Sequence, residues 1–177
     1  DEIEEYLRRG TPLMTVESQR PVSDADVIAF SASFENDYVN VVRMLRIAGL
    51  PARSEARDER HPLVLMGGAT VSINPEPVAP FLDACCVGEG EEIVGPLIEA
   101  VITHAGTDAP RDALLERLAQ LPGLYVPSLY EPQYTSEGND YAAFTAITAQ
   151  RGAPATVQKV RAAFDGLESV AATSILT

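Results

Sequence analysis

Cysteine is nearly absent from these 177 residues: the only two, Cys85 and Cys86, are adjacent in the chain. Neighbouring thiols form neither a disulfide framework nor a spaced metal site. A reducing, cytoplasmic compartment is the default for such a chain. Basic residues are scarce as well, with 13 Lys and Arg against 26 Asp and Glu and a net charge of −13. That excludes a nucleic-acid-binding surface, which needs cations to displace counterions from phosphates. No apolar run reaches ten residues, so no segment can span a bilayer as a helix, and the charged opening stretch is not a signal peptide. Neither GxGxxG nor GxxxxGK[ST] occurs, so the dinucleotide and P-loop readings lack their fingerprint.

What is present is a globular composition, 46% hydrophobic with 22% charged residues. Residues 2–9 read as a short amphipathic helix closed by Gly10, and Leu13 to Val16 as a short strand. A repeating pattern follows. The run from Val27 to Ala32 is a strand apolar on both faces, and Val41, Met44, Leu45 and Ala48 then recur at helical spacing up to Gly49 and Pro51. A polar loop over 53–61 leads to a buried strand, Leu63 to Met66, ending at Gly67-Gly68. A short helix is expected from Pro75 to Phe81, with Asn74 as its N-cap. Ala84 to Val87 is a third buried strand, ending at Gly88, and residues 91–104 form a helix bent early by Pro96.

Alternation of this kind predicts an α/β fold, a Rossmann-like or flavodoxin-like parallel sheet between two helical layers, over residues 1–106. After Gly106 the character changes. Residues 109–120 read as a helix, 124–129 as a strand and 130–140 as a polar loop. Residues 143–149 and 156–164 read as an antiparallel hairpin across Gly152. Residues 107–177 are therefore expected to form a helix plus a small β-rich C-terminal extension.

In a doubly wound sheet, ligands bind beyond the carboxyl ends of the strands. Three such ends carry small residues: Ser31-Ala32-Ser33, Gly67-Gly68-Ala69-Thr70 and Gly88-Glu89-Gly90. Together they suggest a ligand cleft lined by backbone amides and by the hydroxyls of Ser31, Ser33 and Thr70. Glycines also end strands for purely structural reasons, and the hydroxyls can bond their own backbone. The acidic Glu89, Glu91 and Glu92 suit a helix N-terminus and repel a nearby phosphate. His61 and His104 read as solvated surface histidines, and the two cysteines as small buried hydrophobes. Glu35 and Asp37 read as an acidic helix start as readily as a carboxylate pair. No nucleophile–base constellation is visible, so no catalytic residue and no metal ligand is expected.

The stretch from Phe30 to Asn40, with Leu45-Arg46-Ile47-Ala48-Gly49-Leu50-Pro51, resembles the B12-binding-type domain at the front of certain radical SAM proteins. The likeness continues through His61 to Gly68, Asn74-Pro75-Glu76-Pro77, Asp83 and Val87-Gly88-Glu89-Gly90-Glu91-Glu92, and Pro122 to Pro127 resembles the segment leading to a radical SAM core. It implies a cobalamin site at the strand ends, with Ser31, Ser33, Gly67, Gly68, Thr70, Gly88, Glu89 and Gly90 as the cofactor-binding candidates. The implied partner is a radical SAM core in the same parent chain. The 4Fe–4S cluster and S-adenosylmethionine would belong to that parent, because CxxxCxxC is absent here. Asp-x-His-x-x-Gly, which supplies a lower axial histidine in other B12 domains, is also absent. Starting at Asp1 without a Met, the sequence reads as a piece of a longer protein whose first strand would precede Asp1. Two rivals accompany this reading: a cofactor-free scaffold or docking domain of the same fold, and a flavodoxin-like domain for another small ligand.

Overall fold

The structure, a computed structural model, describes residues 2–135 and 143–161. Helix α1 (Glu2–Arg9) carries Arg8 and Arg9 in its last turn, both paired with Glu5. The strand expected at Leu13 to Val16 is reduced to one antiparallel bridge, Met14 to Pro21. Pro21 lacks the N–H that a longer ladder would need.

The core is a four-stranded sheet in the order β1 (Val27–Ser31), β2 (Leu63–Gly67), β3 (Ala84–Cys86) and β4 (Leu124–Tyr125). The first three strands are parallel and β4 is antiparallel to β3. Period-two alternation along β2 builds both faces of the sheet. Leu63 and Leu65 join a cluster with Ile93 and Leu97 of α4 (Gly90–Ala105) and with Leu114, Leu115 and Leu118 of α5 (Arg111–Leu118). Val64 and Met66 face the other way, onto Val41 and Leu45 of α2 (Asp37–Ile47) and Val71 of α3 (Ala69–Ile73). The result is the expected three-layer α/β arrangement. The boundary expected near Gly106 falls between α4 and α5, which lie in one hydrophobic cluster.

Local chemistry explains the helix ends. At the end of α2 the Leu50 N–H donates to the Leu45 carbonyl (3.0 Å) and the Gly49 N–H to that of Arg46 (3.1 Å), with Gly49 at φ +73°. Leu45 and Leu50 are both buried, which completes a Schellman cap. The helix expected from Pro75 to Phe81 is instead α3, earlier in the chain, followed by turns. Asn74, which precedes Pro75, is extended at φ −153° and cannot open a helix there. Pro75, Pro77 and Pro80 remove three N–H donors within six residues, leaving a 3-10 turn at Ala79–Phe81.

Beyond the core, β5 (Tyr130–Thr135) pairs antiparallel with β6 (Ala143–Ala149). The polar loop expected over 130–140 is thus a strand in its first six residues, and β6 takes β5, not residues 156–164, as its partner. A two-stranded ribbon has no buried face to impose an apolar alternation, and the exposed residues of β5 show none. The strand expected at 124–129 stops after two residues, because Pro127 opens a 3-10 turn. Gly152 does turn the chain, at φ +75°, but into an irregular segment, 153–161. The rest of the expected strand, 162–164, lies outside the described residues.

Candidate functional site at the carboxyl end of the sheet

Because β1, β2 and β3 are parallel and in register, their carboxyl ends converge, with Ser31 opposite Gly67 and Met66 opposite Cys85. All eight candidate residues lie at or just beyond these ends. They are not equivalent.

Gly68, at φ +105°, is a steric device. A Cβ there would lie 3.0 Å from the Ala32 nitrogen and closer still to its carbonyl oxygen. The Thr70 hydroxyl, buried, donates to that same carbonyl at 3.1 Å. The Ala32 N–H in turn donates to the Gly67 carbonyl at 3.0 Å. Gly68 and Thr70 therefore hold the turn after β1 against the turn after β2. What this leaves open is Ser31 and Ser33, both exposed, and the half-buried Gly67.

Three large apolar side chains border this opening. Phe34 is 70% exposed, Val39 is 57% and Ile73 is 79%. The Tyr38 hydroxyl donates to the Asn74 carbonyl at 3.2 Å, which ties the start of α2 to the end of α3 and brings these residues to one rim. Sequence reading took Phe34 only as part of a motif and passed over Ile73, since nothing in the sequence distinguishes an exposed isoleucine from a core one.

The end of β3 is covered by the chain itself. Gly88, at φ +129°, makes an isolated parallel bridge with Val160. The Val160 N–H donates to the Val87 carbonyl (3.0 Å), and the Glu89 N–H donates to the Val160 carbonyl (3.1 Å). Glu89 and Gly90 are exposed, and Gly90 is the first residue of α4.

Beside this seam, the Tyr125 hydroxyl donates to Glu76 Oε1 at 2.6 Å, and its ring lies 4.8 Å from that of Tyr130. Burial, reinforced by the Glu76 carboxylate, pushes the Tyr125 phenol well above the usual tyrosine range. Glu76 thus anchors the Asn-Pro-Glu-Pro turn to β4. Burial also pushes both cysteine thiols up, Cys85 the more strongly, which makes them poor nucleophiles at neutral pH.

The opposite end of the sheet holds two groups that sequence reading missed. Both histidines are half-buried rather than solvated, and both line an open cavity of about 790 Å³ with Asp24, Asp26, Asp108 and Arg111. His61 Nδ1 lies 2.7 Å from Asp58 Oδ1. Beneath them Asp83 Oδ2 accepts from the Val64 N–H (2.7 Å) and from Arg111 (3.0 Å), and lies 3.5 Å from Arg57 Nε. Burial lowers the Arg57 pKa, against the pull of Asp83. Among the described residues no group of three or more His, Cys, Asp or Glu could hold a metal ion. No helix among them is long and apolar enough to cross a membrane.

A chain with an α/β sheet, glycine-lined strand ends and no catalytic constellation was compared with known proteins. Residues 1–127 match the family described as radical SAM proteins, N-terminal. The chain belongs to that family. No curated protein and no solved structure matches it. Family membership points to a radical SAM parent, in which the 4Fe–4S cluster and S-adenosylmethionine reside. Of this radical SAM N-terminal region, all three layers of the sheet domain up to Val126 fall inside the match, and β5 and β6 fall beyond it.

Proposed function

We propose that this radical SAM N-terminal region is a non-catalytic cofactor-binding module that holds cobalamin over the carboxyl ends of β1 and β2. One observation carries the reading. The exposed hydroxyls of Ser31 and Ser33 and the open Gly67 lie beside an apolar rim of Phe34, Val39 and Ile73 at the sheet end where α/β folds take ligands. A corrin ring matches such a surface, having broad apolar faces and a polar amide periphery. Ser31, Ser33 and Gly67 would meet the periphery and the rim would meet the ring. The described residues offer no lower axial histidine, so the chain would hold the corrin by its faces and amides and leave the cobalt without a ligand from this domain. Bound cobalamin would supply methyl-transfer or redox chemistry to a radical SAM core in the parent; the chain's own part is to bind and orient it. A cytoplasmic location follows from the reduced cysteine pair and the parent's oxygen-sensitive cluster.

A second reading is favoured by the covered end of β3 and by the self-contact that accounts for Gly68. It makes the domain a cofactor-free scaffold that docks on the core. Titration with hydroxocobalamin, followed by gel filtration and absorbance, separates the two. Co-elution of corrin with the folded protein, lost in Ser33→Trp and Gly67→Val, is the expected result. Folded protein that never retains corrin would overturn the cofactor reading in favour of the scaffold. Flavin or nucleotide in the purified protein would favour the flavodoxin-like rival.

A further inference from the structure

The segment after Gly152 crosses the carboxyl end of the sheet with inward-facing residues at three-residue spacing. The Pro154 carbonyl accepts from the Tyr130 hydroxyl at 2.8 Å, Val157 packs on the cluster around Cys85 and Tyr125, and Val160 reaches Gly88. Between them Ala155, Thr156, Gln158 and Lys159 are exposed. The segment has no regular secondary structure and is held at these separate points.

Its last point of attachment is closely fitted. A Cβ on Gly88 would lie 2.6 Å from the Val160 nitrogen and nearer its carbonyl oxygen. A Cβ on Gly123, at φ +75°, would lie 2.7 Å from Val160 Cγ2 and 2.8 Å from Ile93 Cδ1. Two glycines thus make room for one valine. The Glu89 N–H has a single hydrogen, and it is given to Val160. Any ligand that takes this amide, or approaches the bare face of Gly88, needs the same hydrogen and the same space.

We propose that residues 153–160 are an autoinhibitory strap: closed, they fill the β3 side of the binding site, and a ligand that extends from β1 and β2 onto Gly88, Glu89 and Gly90 releases them. The inference rests on the cobalamin reading for its ligand. The exclusion is reciprocal. Whatever factor the closed strap takes from ligand affinity, bound ligand takes from strap closure. Release frees the backbone around Lys159, the chain's single lysine, and thereby carries the state of the site into the chain beyond residue 160.

The test uses the whole chain with Val160→Pro, which removes the donor to Val87, and Val160→Ala, which only trims the side chain. Hydrogen exchange at the Glu89 amide and tryptic cleavage after Lys159 report the strap; hydroxocobalamin absorbance reports the site. Val160→Pro is expected to raise both strap readouts at least tenfold and to tighten hydroxocobalamin at least fivefold. Val160→Ala follows in the same direction, and it carries the test if the proline variant does not fold. Saturating hydroxocobalamin should speed cleavage after Lys159 in the unmodified chain. A freed strap with unchanged or weaker hydroxocobalamin binding would overturn the strap as a competitor and leave the cobalamin reading standing. A freed strap in a folded chain that still retains no hydroxocobalamin would overturn the cobalamin reading, and the gate with it.

Discussion

At the scale of single residues, the strongest internal constraint is Asp83. Its side chain is 1% exposed and faces two guanidiniums, Arg57 and Arg111, so the site carries an excess buried positive charge. Arg57 Nε and Nη1 and Arg111 Nε are buried without a hydrogen-bond partner. Neutralising Asp83 would leave two buried cations uncompensated, whereas removing Arg57 would leave a one-to-one pair with Arg111. Asp83→Asn is therefore expected to cost about 3–5 kcal/mol, and Arg57→Met no more than about 1 kcal/mol. Urea denaturation followed by far-ultraviolet circular dichroism measures both. Equal losses in the two variants would show that Arg57, not the charge balance, supports the loop. This constraint was illegible in the sequence. Arg57 stands in the charged run 53–61, where every neighbour suggests solvent, and Asp83 is one acid among 26. Only tertiary packing selects the arginine that goes inside. His61 was misread for the same reason, since its partner Asp58 and its half-burial depend on how that loop folds back.

At the scale of elements, the strands were legible and the turns between them less so. β2 and β3 are short apolar runs bounded by glycine, and a strand buried on both faces needs nothing more. The glycines were read correctly as places of close approach, but what approaches two of them is the chain itself. Gly68 meets Ala32, and Gly88 meets Val160, 72 residues away in the numbering. A sequence shows that room has been made and does not show for what. The distinction can be measured at Gly68. An alanine there would need φ +105° and would collide with the Ala32 carbonyl, which also receives the Thr70 hydroxyl. Gly68→Ala is expected to destabilise the fold by roughly 2–3 kcal/mol through backbone strain and displacement of that turn. Thermal unfolding in the absence of any ligand checks it. An unchanged Tm would mean that the turn can yield, and would return Gly68 to the list of residues kept small for a ligand.

At the scale of the whole molecule, two hydrophobic clusters share one sheet, and the chain beyond Gly106 supplies much of one of them. Leu114, Leu115, Leu118, Leu124, Val126 and Leu129 pack with Leu63, Leu65 and Ala84 behind α4, and β4 pairs with β3 along its outer edge. The change of character after residue 106 is real in the sequence, where regular strand–helix alternation stops. It marks a change of topology, from parallel crossovers to an antiparallel return, and not the end of a hydrophobic core. Removing everything after 106 would expose the α4-side face of β2 and β3 and leave Cys85 and Cys86 on an uncovered edge. Six leucine- and valine-sized side chains at about 1.5–3 kcal/mol each exceed the few kcal/mol by which a domain of this size is stable. A chain of residues 1–106 is therefore expected to be expanded and to lose cooperative unfolding, while a chain of residues 1–135, which keeps α5, β4 and Leu129, retains it. Differential scanning calorimetry on the two decides the matter. A sharp transition in the shorter chain would place a self-sufficient domain before Gly106 and make α5 and β4 part of the extension; its absence would make them the closing layer of the cofactor-binding domain.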